Sequence, residues 1–203
     1  MARERGPGGD AAARTARTAR TARTGQSRVA WRYVPAGPWA AAKIESQVQH
    51  LKASFRTGER REGGRVLVDA TGEIPDQAAA RALLSGAIGP RVVFHRLILS
   101  PGPRSGLARA DDLQEWTRAI LMDLGRELGQ RLVYVAAVHT NTDAPHCHVL
   151  IGGAAVRTRP PGKGSTVGVE LRKAHWSFDG FLEQRGDVHA AEIRARDGDG
   201  TAA

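Results

Sequence analysis

Apolar positions along the chain fall into two periods, and each predicts a different element. Residues 28–34 alternate, with Val29, Trp31 and Tyr33 set against Ala30, Arg32 and Val34, and then meet Pro35; this is the pattern of a short strand. From Pro38-Trp39 the period changes. Ile44, Val48, Leu51 and Phe55 recur at helical spacing and form one stripe. A strand is expected at 65–69. A helix is expected at 76–84, between Pro75 and Gly86. Residues 92–99 are rich in strand formers and run into Ser100-Pro101-Gly102-Pro103. Residues 111–128 carry Leu113, Trp116, Ile120, Leu121, Leu124 and Leu128 on one helical face. Asp111 and Asp112 sit near the start of this helix and Gly129 follows its end. Strands at 132–139 and 146–151 follow, then a basic Pro/Gly loop at 157–165 and a helix at 169–184.

These elements predict an α+β domain. A largely antiparallel sheet would carry helices mainly on one face, leaving the other for a site. The expected organisation is a disordered basic arm at 1–28, a folded domain at 29–190 and a flexible tail at 191–203. The arm repeats Arg-Thr-Ala at a period of three. Such a repeat drifts around a helix of about 3.6 residues per turn and builds no apolar face.

Composition narrows the function classes. In 203 residues, 30 Lys and Arg stand against 21 Asp and Glu, a net charge of +9. Seven arginines against Glu4 and Asp10 put more than half of that excess in residues 1–28. The balance suits a polyanion, nucleic acid before membrane. No apolar run is long enough to insert in a bilayer, and no secretory signal is evident. One cysteine, Cys147, excludes an internal disulfide framework and a multi-cysteine zinc module; a reducing cytoplasm is the expected setting.

The chemistry concentrates at residues 138–150. On a strand, His146 and His148 share a face while Cys147 points the other way, into the core. The preceding strand ends at His139, and a six-residue turn brings that residue beside the pair. Three imidazoles converging on one sheet face make a partial coordination shell with positions left open for substrate oxygens. Arg60, Arg61, Arg157, Arg159 and Lys163 lie in loops expected to flank this site and suit a DNA channel.

The run His139-Thr140-Asn141-Thr142-Asp143-Ala144-Pro145-His146-Cys147-His148-Val149 resembles the three-histidine motif of plasmid mobilisation relaxases, a branch of the HUH endonucleases. Phe94 to Pro101, the Trp116 helix and Leu132 to Val138 match the order of elements in that family. The likeness spans about residues 40–185. It implies an enzyme that nicks one DNA strand at a transfer origin, stays joined to the 5′ phosphate and later rejoins the ends. It implies a divalent metal, Mg or Mn, held by His139, His146 and His148. Its implied partners are single-stranded origin DNA, accessory mobilisation proteins and a coupling protein. Ser100 matches a family position that contacts DNA near the nick. Asp143 either orients a ligand imidazole or caps the turn.

The chain departs from the family at the nucleophile. The family places a tyrosine on the N-terminal helix; here His50, before Leu51, occupies that position. It lies well off the apolar stripe, with Lys43, Gln47 and Ser54. Neutral imidazole is a competent nucleophile, so His50 is the first candidate and Tyr33 the second. Three alternatives remain open at this stage. One is a catalytically degenerate relaxase fold that binds DNA as a regulatory module. Another is a rolling-circle replication initiator. The last is an unrelated His-x-His metalloenzyme.

Overall fold

A computed structural model describes residues 26–52, 66–140, 144–157, 166–169 and 178–199. The order is β1 (Arg28–Pro35), α1 (Ala40–Lys52), β2 (Leu67–Val68), β3 (Glu73–Ile74), α2 (Gln77–Ser85), β4 (Val92–Ser100), α3 (Ala110–Leu128), β5 (Gln130–Arg131), β6 (Tyr134–His139), β7 (His146–Gly152), β8 (Ala154–Arg157), β9 (Thr166–Gly168) and α4 (Phe178–Asp199). A six-stranded sheet runs β1-β4-β7-β6-β2-β3, and a small second sheet runs β5-β8-β9. Every pairing among the described residues is antiparallel, in line with the largely antiparallel sheet expected from sequence.

Local chemistry sets the helix ends. The Asp76 side chain accepts from the Ala79 backbone N–H at 2.7 Å and caps α2. Gly129 ends α3 in the left-handed region at φ 62°, which glycine adopts without a Cβ penalty. Gly153 follows β7 where the chain passes Val92 so closely that a Cβ would overlap the Val92 carbonyl.

The helices lie on both faces of the main sheet, which corrects the one-sided arrangement expected from sequence. α3 and α4 cover one face, burying Leu97, Leu99, Trp116, Tyr134, Cys147, Val149 and Ile151 together. α1 and α2 cover part of the other, burying Ile44, Val48, Leu51 and Leu84 against Phe94, Val135, Ala137 and Leu150. β6 and β7 are therefore apolar on both sides, the pattern of strands buried front and back.

Residues 191–199 continue α4 rather than forming a flexible tail. Ile193 is buried and the Arg196 guanidinium donates to Glu115 of α3 at 2.6 Å. Of the expected helix at 169–184, residues 178–184 lie in α4, Val169 is a buried residue just after β9, and residues 170–177 lie outside the described residues. Residues 1–25 of the expected basic arm lie outside the described residues; Ser27 is buried, its backbone N–H donating to Asp187 of α4 at 2.7 Å, and Arg28 opens β1. No helix among the described residues is long and apolar enough to cross a membrane.

Candidate metal centre

β6 ends and β7 begins at the same end of the main sheet. Their register places His139 directly opposite His146, and Ala137 opposite His148. Alternation then puts His139, His146 and His148 on one face, the face carrying Ala137 and Leu150. The ring centroids lie 4.8 Å (His139–His146), 4.4 Å (His139–His148) and 5.0 Å (His146–His148) apart. One ring nitrogen from each lies within 4.8 Å of the others, close enough to hold a metal ion. His139 and His148 are buried, and His146 is half-buried at the mouth.

The Nδ1–H of His146 donates to the Ala144 carbonyl at 2.9 Å, which turns the Nε2 lone pair inward. That Nε2 sits 3.2 Å from Nε2 of His148. Two nitrogens each about 2.0–2.1 Å from one ion, at cis or tetrahedral angles, stand roughly 2.8–3.4 Å apart, so this spacing fits a shared cation. Imidazoles are neutral donors, so the charge of a bound cation would stay uncompensated by its ligands and open to an anionic oxygen.

Cys147, between the ligands in sequence, faces the α3 side. It is fully buried, its thiol is pushed up to about 12 by burial, and it donates to the Leu113 carbonyl at 3.7 Å. It has no part in the cluster, as strand alternation requires.

The other sequence candidates divide. His50, half-buried on α1, brings its ring to 6.1 Å from that of His148, edge to face, and so borders the cluster. Tyr33 does not. It is 58% exposed and stands opposite His95 in the β1–β4 register. That parity is shared with Trp31 and Val29, which pack on the α3 and α4 side. Tyr134 is buried in the same core. Strand parity thus sets both tyrosines of the chain away from the histidines, although Tyr33, on edge strand β1, also borders a groove with Arg32, Lys43 and Arg96.

The Ser100 hydroxyl donates to the Pro145 carbonyl at 3.1 Å, tying the end of β4 to the turn that carries Ala144. It lines a cleft of about 370 Å³ with Arg28, Ser105 and Pro145. Arg157 ends β8 in the second sheet, paired with Gln130, beyond the opposite end of β7 from His146. Asp143, Arg60, Arg61, Arg159 and Lys163 lie outside the described residues. The Ala144 carbonyl and the Ser100–Pro145 tie had no sequence signal, because both work through backbone oxygens.

The remaining described histidines are structural. His95 is buried beside Trp31 and donates from Nε2 to the Val169 carbonyl at 2.9 Å; burial holds its pKa below the ordinary imidazole value. His189 joins α4 to α3 through Asp123.

No protein-family model matches the chain, and no curated protein is significantly similar to it.

Proposed function

We propose that the chain is a metal-dependent DNA strand transferase that nicks a single strand and keeps its 5′ phosphate. One observation carries the reading: three imidazoles from adjacent strands converge on a face where a fourth, His50 of α1, reaches their edge. The motif's likeness to the mobilisation relaxases supplies the reaction class.

His139, His146 and His148 would hold the cation, Mn or Mg, with imidazole donors favouring Mn of the two. When bound, it would polarise the scissile phosphate and offset charge that builds in the transition state. The Ala144 carbonyl keeps His146 in the tautomer that presents Nε2. His50 would attack phosphorus with its unprotonated ring nitrogen. The N–P bond forms as the P–O3′ bond breaks. The leaving O3′ takes up a proton, and the other ring nitrogen of His50 gives one up. A phosphoramidate then links His50 to the 5′ end, and reversal by a free 3′ hydroxyl rejoins the strand.

A second reading is DNA binding without cleavage by the same fold. It is favoured by the burial of Tyr134 in the opposite core and by a strand parity that turns Tyr33, the chain's other tyrosine, away from the histidine face.

The test is adduct formation with a labelled random pool of single-stranded oligonucleotides and Mn²⁺, resolved on a denaturing gel. The wild type forms an adduct that is acid-labile, as a P–N bond is. His50→Ala and His148→Ala abolish it, and Tyr33→Phe retains it. An acid-stable adduct lost in Tyr33→Phe would transfer the role to Tyr33. DNA binding with no adduct in any variant would favour the binding module.

A further inference from the structure

Arg32 on β1 lies directly opposite Arg96 on β4. Directly opposed residues share a sheet face, so two guanidiniums project side by side, and like charges so placed destabilise a sheet. On its other flank Arg96 pairs with Leu150, and Ile98 pairs with His148. The arginine pair thus stands on the histidine face, one strand over and two residues along from His148.

That part of the face is open. α1 and α2 pack over β6 and β7, while Arg28, Ala30 and Arg32 on β1 are exposed. Arg32 and Arg96 line a groove of about 450 Å³ against Lys43, Ser46 and Gln47 of α1. A shallower groove of about 320 Å³ continues over Ala30 and Ile98. Arg28, on the same face, borders the cleft beside Pro145.

Among the described residues, no carboxylate answers Arg28, Arg32 or Arg96. Glu45, Glu115 and Asp123 are each engaged by other arginines. Arg96 is also half-buried, and its neighbours along β4 are His95 and Leu97, both buried. The free chain therefore carries two like charges at opposed positions, Arg32 exposed and Arg96 half-buried, an arrangement that an anion would relieve.

We propose that Arg32 and Arg96 together clamp one phosphodiester of a single-stranded DNA. Arg28 and Lys43 extend the clamp into a track along β1 and β4 that passes the histidine cluster. The choice of DNA rests on the strand-transfer reading. The choice of a single strand rests on the groove, which is bounded by α1 and takes one backbone.

The test is fluorescence anisotropy with labelled oligothymidylate of about 20 nucleotides over a range of salt. Each neutralised phosphate contributes a salt slope of about 0.7, so Arg32→Gln/Arg96→Gln, which releases the one clamped phosphodiester, lowers the slope by about 0.7 and weakens binding about tenfold or more at low salt. Arg131→Gln, on exposed β5, changes neither. Without DNA, the same double variant melts about 1–3 °C higher, because the opposed charges are gone. Unchanged affinity and slope in the double variant would overturn the clamp. So would tighter binding of a duplex or of oligouridylate by the wild type. The two proposals fail separately. No adduct from the wild type, with the slope still lowered in Arg32→Gln/Arg96→Gln, refutes strand transfer alone, and an unchanged slope in the double variant, with the wild-type adduct formed, refutes the clamp alone.

Discussion

His139 and His146 face each other across the β6–β7 hairpin, with their ring centroids 4.8 Å apart. The pairing makes the site a property of strand register. A slip of one residue would send His146 and His148 through the sheet and bring Cys147 out. What holds the register is apolar packing on both faces, with Leu150 and Ala137 on one side and Cys147, Val149 and Ala136 on the other.

Ser100 acts on the cluster at one remove. Its hydroxyl fixes the Pro145 carbonyl, and the neighbouring Ala144 carbonyl fixes His146. Ser100→Ala should weaken Mn²⁺ binding about 3- to 10-fold and cost about 0.5–1.5 kcal/mol of stability. Calorimetric titration and urea melts read the two separately. Ser100→Thr, which keeps the hydroxyl, should restore most of the affinity.

Cys147 should resist alkylation in the native chain. Burial raises its thiol to about 12, leaving almost no thiolate at pH 8. Thiol labelling should run at least about 1000-fold slower than for a free cysteine and become complete in denaturant. Cys147→Ser should leave Mn²⁺ affinity unchanged while lowering stability by about 1–3 kcal/mol, because it places a hydroxyl in an apolar core.

The α3–α4 contact depends on Asp123. Its buried carboxylate accepts from His189 at 2.8 Å and from Arg126 at 2.9 Å, and it pairs with Arg185. Burial alone would raise its pKa, but hydrogen bonds from His189 and Arg185 outweigh this and hold it below the ordinary 3.8. A carboxyl depressed in the folded state stabilises fully above its unfolded pKa, and that stability is lost as pH falls through the folded value. Asp123→Asn should cost about 1–3 kcal/mol at neutral pH, and less at pH 2–3, where the wild type has lost part of the same contribution. Chemical denaturation at both pH values checks this.

Much of this was legible because the site obeys strand alternation. The positions of His139, His146, His148 and Cys147 follow from parity and one turn. The stripe Ile44, Val48, Leu51 and the long α3 face were equally plain. Helices on both faces were not anticipated, although Val135, Ala136, Ala137 and Val149 to Ile151 form the continuous apolar runs that announce them. The C-terminal part of α4 was hidden for another reason. Its buried positions Leu182, Gly186, Ala190 and Ile193 keep helical spacing, but two are too small to register as an apolar stripe. Gly186 is required there, since its carbonyl accepts from the Trp116 indole at 2.8 Å and a Cβ would press on Ser27 and the Trp116 ring. β2, β3 and β5, at two residues each, are too short to show any period. The Arg32–Arg96 opposition depends on the pairing of β1 with β4, which neither segment reveals alone.

The most direct measurement is calorimetric titration of the full chain with Mn²⁺ alone. One ion per chain should bind, and affinity should fall by about 100-fold or more in each of His139→Ala, His146→Ala and His148→Ala, with the fold intact by circular dichroism. Absence of binding in the wild type, or binding that survives all three substitutions, would contradict a metal centre built from these imidazoles.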